Sequence, residues 1–99
     1  MFLSLLASLA MLNYTNNMKV QTTIYKPDTY NGLLIKVLKF DTEEHFDYMK
    51  IDAYGKTLAL SSGHLVPYNI STDASSVTIS FTSDITTTYE GIELDVFAF

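Results

Sequence analysis

Apolar and polar residues alternate with a period of two along most of this chain, and that pattern restricts it to β-strands. Val77, Ile79 and Phe81 alternate with Thr78, Ser80 and Thr82; Ile92, Leu94 and Val96 alternate with Glu93, Asp95 and Phe97. Met49, Ile51 and Ala53 alternate in the same way with Lys50, Asp52 and Tyr54. Successive strand side chains point to opposite faces, so such runs turn one face to a core and the other to water. Residues 33–40 (LLIKVLKF) are more uniformly apolar and are expected in the middle of a sheet. Residues 20–25 (VQTTIY) add a strand rich in β-branched side chains. Breakers separate the runs: Pro27-Asp28, Asn31-Gly32, Tyr54-Gly55, Ser62-Gly63, residues 71–76, and Tyr89 to Gly91. No segment after residue 13 keeps apolar residues at helical spacing. Short strands with no helix between them predict an all-β fold, an antiparallel β-sandwich or jelly roll. With 99 residues, 47% hydrophobic and 17% charged, the chain is long enough for one such domain.

Charge and residue usage narrow what that domain does. Six basic residues stand against eleven acidic ones, for a formal charge of −5. An acidic surface repels phosphate backbones, so nucleic acid is not the expected partner. There is no cysteine, which removes disulfides, thiolate nucleophiles, zinc ribbons and iron–sulfur clusters together. The two histidines, His45 and His64, are too few for a histidine-rich metal site. His64 with Ser61 and Ser62 pairs a base with a nucleophile, yet no Gly-x-Ser-x-Gly turn accompanies it. No nucleophile, base and orienting group can be assembled, and the chain is read as non-catalytic.

Residues 1–12 (MFLSLLASLAML) carry no charged side chain and differ from the Thr-, Ser-, Tyr- and Asp-rich remainder. The run is too short to cross a bilayer, which takes about 20 residues, so no transmembrane span is expected. Three readings stand. It is the apolar part of a secretory signal, with Ala7, Ser8 and Ala10 near a cleavage site, or a buried first strand, or the ragged start of an incomplete sequence. The signal reading carries the expectation of a secreted or extracellular protein, and residues 13–99 are expected to form the β-sandwich domain. In a secreted chain, Asn13-Tyr14-Thr15 and Asn69-Ile70-Ser71 are glycosylation sequons that make it a glycoprotein.

From residue 13 the order of motifs resembles that of a CUB domain. Asn13-Tyr14-Thr15-Asn16-Asn17-Met18 is similar to the tyrosine-and-asparagine turn that opens the family's fold. The stretch 33–43 (LLIKVLKFDTE) looks like its hydrophobic strand ending in Phe-Asp-x-Glu. Phe46-Asp47-Tyr48-Met49-Lys50-Ile51 is similar to Tyr-Asp-Tyr-Val-x-Ile, with Phe and Met as replacements. Residues 75–84 (SSVTISFTSD) resemble the Ser-Ser-x-aliphatic-x-aliphatic-x-Phe-x-Ser-Asp signature, and Gly91-Ile92-Glu93-Leu94 its closing Gly-Phe-x-aliphatic. The family's two disulfides are replaced: Val20, a residue around Glu44, and Ser61 or Ser62 stand at three of the half-cystine positions. Each lost crosslink removes roughly 2–4 kcal/mol, so the core must carry more of the fold.

The resemblance implies a Ca2+ ion at a sheet end, held by acidic side chains from separate loops and used to bind a protein partner, a partner lysine approaching the same carboxylates. Position by position, it implies Glu43, Asp47 and Asp84 as metal ligands, with Thr87 supplying a further oxygen and Glu44 as the substitute for Glu43. It implies a partner-binding surface of Glu43, Asp47, Tyr48 and Asp84. Calcium takes six to eight oxygens at about 2.3–2.6 Å, so carbonyls or water complete such a set. The loop from Glu43 to Asp47 is about one turn shorter than in calcium-binding members. Without any family, Asp41, Glu43, Glu44 and Asp47 form either a cation-relieved cluster or a solvated acidic turn. His45 between these acids is a pH-sensitive contact or an idle loop residue. A carbohydrate-binding sandwich is the alternative function: Tyr25, Tyr30, Tyr48, Tyr54 and Tyr68 would stack on sugar rings if they shared one exposed face. An accessory domain of a larger secreted protease or receptor is a further alternative.

Overall fold

The computed structural model describes residues 3–85 and 87–99. Nine strands follow in order: β1 (Ser4–Leu12), β2 (Lys19–Tyr25), β3 (Leu33–Asp41), β4 (Tyr48–Ala53), β5 (Lys56–Ser61), β6 (His64–Leu65), β7 (Tyr68–Thr72), β8 (Ser76–Thr82) and β9 (Gly91–Ala98). They make two antiparallel sheets, one ordered β1-β9-β3-β6 with β7 also on β3, the other ordered β2-β8-β4-β5. This is the all-β sandwich that the alternation predicts. Among the described residues no helix is long and apolar enough to cross a membrane.

The alternating runs supply the core as expected. Val77, Ile79 and Phe81 of β8, Met49, Ile51 and Ala53 of β4, and Ile92, Leu94 and Val96 of β9 are all buried. Strand β3 lies inside its sheet, and its uneven pattern has a local cause. The register against β9 shifts between Val37 and Lys39, which makes Leu38 the extra residue of a bulge. Leu33, Ile35 and Val37 face the core before the bulge and Phe40 faces it after, while Leu38 is exposed. Alternation does not mark β5 or β6: β6 has two residues, and β5 leaves most of its side chains in water. Strand β7 does alternate, with Tyr68, Ile70 and Thr72 half-buried and Asn69 and Ser71 exposed, but it spans only five residues at the sheet edge.

Residues 4–12 of the apolar N-terminal segment form β1, which runs along β9 from Ser4↔Ala98 to Leu12↔Gly91. Leu6, Ala7, Leu9 and Met11 pack against the core. Gly91 makes the close approach to β1 feasible. Its φ is +108°, and a Cβ there would stand 1.9 Å from the Met11 carbonyl oxygen, a contact no other residue type can make without moving β1.

Register also fixes which loops meet. Leu12 and Asp41 both pair with Gly91 in one sheet, while Lys19 and Tyr48 both pair with Thr82 in the other. The connections 13–18, 42–47 and 83–90 therefore leave the sandwich at the same end. The Phe81 ring beneath them is 1% exposed and meets the Tyr14 ring edge-on at 4.9 Å. Phe81→Asp buries an unpaired charge at this junction, a cost greater than the net stability of most small domains. Circular dichroism is expected to show the variant unfolded at 25 °C; a wild-type melt would refute this account of the core.

Candidate functional site

The site is built around a carboxylate that the solvent does not reach. Asp47, just before β4, is fully buried. Its Oδ2 accepts the Tyr14 hydroxyl at 2.5 Å, and its Oδ1 accepts the Asp84 backbone N–H at 3.0 Å. One side chain thus ties together the three loops that the strand register gathers. The loop holding it is compact: the N–H groups of Phe46 and Asp47 both donate to the Glu43 carbonyl. Buried Thr42 closes it by donating its hydroxyl to the Asp47 carbonyl and accepting the Gly63 N–H.

Glu43 and Asp84 complete a group of three carboxylates, each with an oxygen within 4.8 Å of the others'. Like charges this close disfavour ionisation. The Glu43 carboxyl is raised above its ordinary range, chiefly because it is desolvated and then because the charges of Asp84 and Asp47 face it. The Thr87 hydroxyl donates to it and partly offsets the rise. Thr87 sits at φ 63°, an unfavourable conformation for a β-branched residue, and in it the hydroxyl reaches Glu43. The other oxygen, Glu43 Oε1, is buried with no hydrogen-bond partner among the described residues.

Tyr14 has the largest role that sequence reading left unassigned. Its ring is buried, and its oxygen accepts the Glu43 N–H at 3.3 Å while its hydroxyl donates to Asp47. Burial and then the bond to Asp47 push its pKa up to about 12; the charge of Asp47 adds to the rise, and bonds to the Glu43 and Tyr89 backbones oppose it. The Asn-Tyr-Thr-Asn-Asn turn was legible as a motif, but no spacing rule links residue 14 to a carboxylate 33 positions away.

The other candidates lie elsewhere. Glu44 is exposed, extends over Gly63 and has an oxygen 3.7 Å from His45 Nε2. Asp41 is separate from the cluster too: it faces His64 at 3.4 Å and accepts the Glu90 N–H. Tyr48 lines a cleft on the outer face of the β2-β8-β4-β5 sheet with Lys19, Lys50 and Leu60. Both sequon asparagines, Asn13 and Asn69, are exposed. The five tyrosines raised for sugar stacking do not share a platform. Tyr30 and Tyr68 pack partly against the core; Tyr25 ends β2 and Tyr54 follows β4, at the far end of that sheet from Tyr48.

No protein-family profile matches the chain, and no curated protein sequence matches it significantly. Solved structures do. The CUB2 domain of MASP-1 bound to Ca2+ superposes with a TM-score of 0.80 at 25% identity, covering 90% of this chain and 88% of that one. The CUB1-EGF-CUB2 region of human MASP-1/3 gives 0.84 at 26% identity, covering 94% of this chain and 39% of that longer one. The extracellular region of zebrafish Gpr126/Adgrg6 gives 0.79 at 16% identity, covering 93% and 13%. The chain therefore has a CUB-like fold.

Tyr14→Phe removes one of the two donors to the buried Asp47 carboxylate, and is expected to cost roughly 1–3 kcal/mol in urea denaturation at pH 7. A phenol whose pKa is raised by folding stabilises the native state below the unfolded value near 10. That contribution is lost as pH climbs through about 12. The wild type should lose stability faster than Tyr14→Phe over this window, and parallel pH profiles would contradict the assigned bond.

Proposed function

We propose that this chain is a non-catalytic extracellular binding module that recognises a protein partner through a Ca2+ ion held by Glu43, Asp47 and Asp84. The observation that carries the reading is the convergence of these three carboxylates, from two loops, on one partly buried point. The donor set suits a hard cation: it is all oxygen, and neither a histidine nor a cysteine belongs to it. Glu43 Oε1, buried and without a hydrogen-bond partner among the described residues, is an oxygen that a cation would satisfy. The Thr87 hydroxyl, already at Glu43, is a further oxygen for the same ion. The CUB-like fold and the Ca2+ held by the MASP-1 CUB2 domain support the assignment.

When bound, Ca2+ would neutralise the mutual repulsion of the carboxylates and fix the three loops against one another. The residues themselves divide the work. Asp47 is committed to Tyr14 and to the Asp84 N–H, so it anchors the site; Glu43 and Asp84 lie beside it and keep part of their surface in solvent. A partner lysine approaching this end would meet those two carboxylates, and the net charge of −5 favours a basic partner over long range.

Thermal melts in millimolar Ca2+ and in chelator test the reading. Binding to the native state alone adds RT ln(1 + [L]/Kd), about 2.7 kcal/mol at a hundredfold excess over Kd. A calcium-dependent rise in Tm is expected, absent in Asp84→Ala and in Glu43→Gln. In chelator, Glu43→Gln should melt above the wild type, because it removes one of three crowded charges. Superimposable melts with and without Ca2+ would overturn the proposal.

A further inference from the structure

The outer face of the β2-β8-β4-β5 sheet divides into a part that satisfies its own polar groups and a part that does not. Met49, Ile51, Ile79 and Phe81 are buried, so their neighbours Tyr48, Lys50, Ser80 and Thr82 stand on the face turned away from the core. Strand register sets these side chains in rows. Lys19, Thr82 and Tyr48 make the first, Gln21, Ser80, Lys50 and Leu60 the second, and Thr23, Thr78 and Asp52 the third. In the third row Thr23 and Thr78 share a bond between their hydroxyls, and Asp52 accepts the Thr57 hydroxyl. In the first two, the side chains of Gln21, Tyr48, Ser80 and Thr82 make no hydrogen bond among the described residues, and Lys19 makes no ion pair.

These two rows line a cleft of about 780 Å3, within the range of roughly 300–1,000 Å3 typical of small-ligand sites. Its charge is opposite to that of the molecule. Two of the chain's six basic residues line it and no carboxylate does, although the net charge is −5. Lys50 pairs with Asp52 of the third row at 3.5 Å, which occupies one of its three N–H donors and leaves two.

We infer that this cleft binds an anionic saccharide, a short run of sugar rings bearing carboxylate or sulfate groups. Hydroxyl and amide side chains both donate and accept, as sugar hydroxyls do, so Gln21, Ser80 and Thr82 side by side suit a ligand hydroxylated along its length. The lysines only donate. They stand on β2 and β4 with β8 between them, where they meet acidic groups at either side of a ring laid across Ser80 and Thr82. The half-buried Tyr48 and the exposed Leu60 add apolar surface for the C–H face of a sugar ring. A simple carboxylate or sulfate would use the lysines alone and leave the row between them idle. Glu43, Asp47 and Asp84 take no part, so the inference is independent of the calcium reading.

Isothermal titration calorimetry of the full-length chain, in chelator and at physiological salt, tests it with two probes. A heparin-derived tetrasaccharide carries sulfate and carboxylate, and a hyaluronan tetrasaccharide carboxylate alone. Saturable binding of at least one is expected, and the pair identifies the acidic group. Lys19→Gln and Lys50→Gln should each raise Kd by roughly tenfold, and Tyr48→Leu and Gln21→Ala by roughly threefold or more. Circular dichroism reports whether each variant folds, and Gln21→Ala, at an exposed position, carries the ring-recognition arm if Tyr48→Leu does not. Failure of both saccharides to bind, a tetraglutamate peptide that binds equally well, or folded lysine variants that bind as the wild type does would overturn the inference.

Discussion

A carboxylate with no exposed surface is expensive unless each oxygen finds a donor, and the loop end of this sandwich is organised by that requirement at Asp47. The two donors come from Tyr14 and from the backbone of Asp84, in connections that the strand register brings to the same end of the sandwich. Further bonds lock the same segments. The Asn17 N–H donates to the Asp84 carbonyl, and Ser83 links to Thr15 and Met18 through its hydroxyl. In a chain without cysteine, this charge-assisted network holds loops that covalent crosslinks would otherwise restrain. Hydrogen bonds to charged groups contribute about 1.5–3 kcal/mol each, comparable with the roughly 2–4 kcal/mol of a disulfide.

The network also explains why the site sits at this end. Alternation builds two sheets whose interior is entirely apolar along β3, β4, β8 and β9, and polar atoms enter only where the strands stop. Phe81 is the last core side chain of β8, and Tyr14 lies against it with its ring in the core and its hydroxyl pointing at Asp47. Tyrosine suits that position because one end is apolar and the other polar. Several residues with positive φ, Asn13, Asn17, His45 and Thr87, lie in these same loops. Backbone strain is thus concentrated where the acidic groups meet.

Most of the fold was legible because burial imposes a period. Val77-Ile79-Phe81 and Ile92-Leu94-Val96 announce β8 and β9 from spacing alone, and the long apolar run of β3 marks an inner strand despite its bulge. Strands β5 and β6 bury too little to leave such a signature, and the alternation of β7 spans only five residues. The three carboxylates were legible only through the order of motifs that resembles a CUB domain. Spacing alone groups Asp41 and Glu44 with Glu43 and Asp47, whereas the fold turns Asp41 toward His64 and Glu44 toward His45. Direction is what a linear acidic run does not encode. Whether Glu43 or Glu44 faces inward is decided by the Asp47 N–H bond to the Glu43 carbonyl and by Gly63 beneath Glu44, both of them tertiary facts. Tyr14 was beyond sequence reading for the same reason.

On the proposed reading, binding and folding share a residue, and that sharing has a consequence. Asp47 holds the loops whether or not a cation is present, because its donors belong to the protein itself. Glu43 and Asp84 lie beside Asp47, and the raised pKa of Glu43 reflects first its desolvation and then the charges of Asp84 and Asp47 facing it. The ion-free site is therefore held closed by Asp47 and forced open by its neighbours. A cation removes the second effect and leaves the first intact. Its influence should then fall mainly on the ordering of the 42–47 and 83–90 connections, with the sheets behind them largely indifferent. A partner reading this end would distinguish the two states through the loops that carry Glu43 and Asp84, while the sandwich serves as a rigid frame for both.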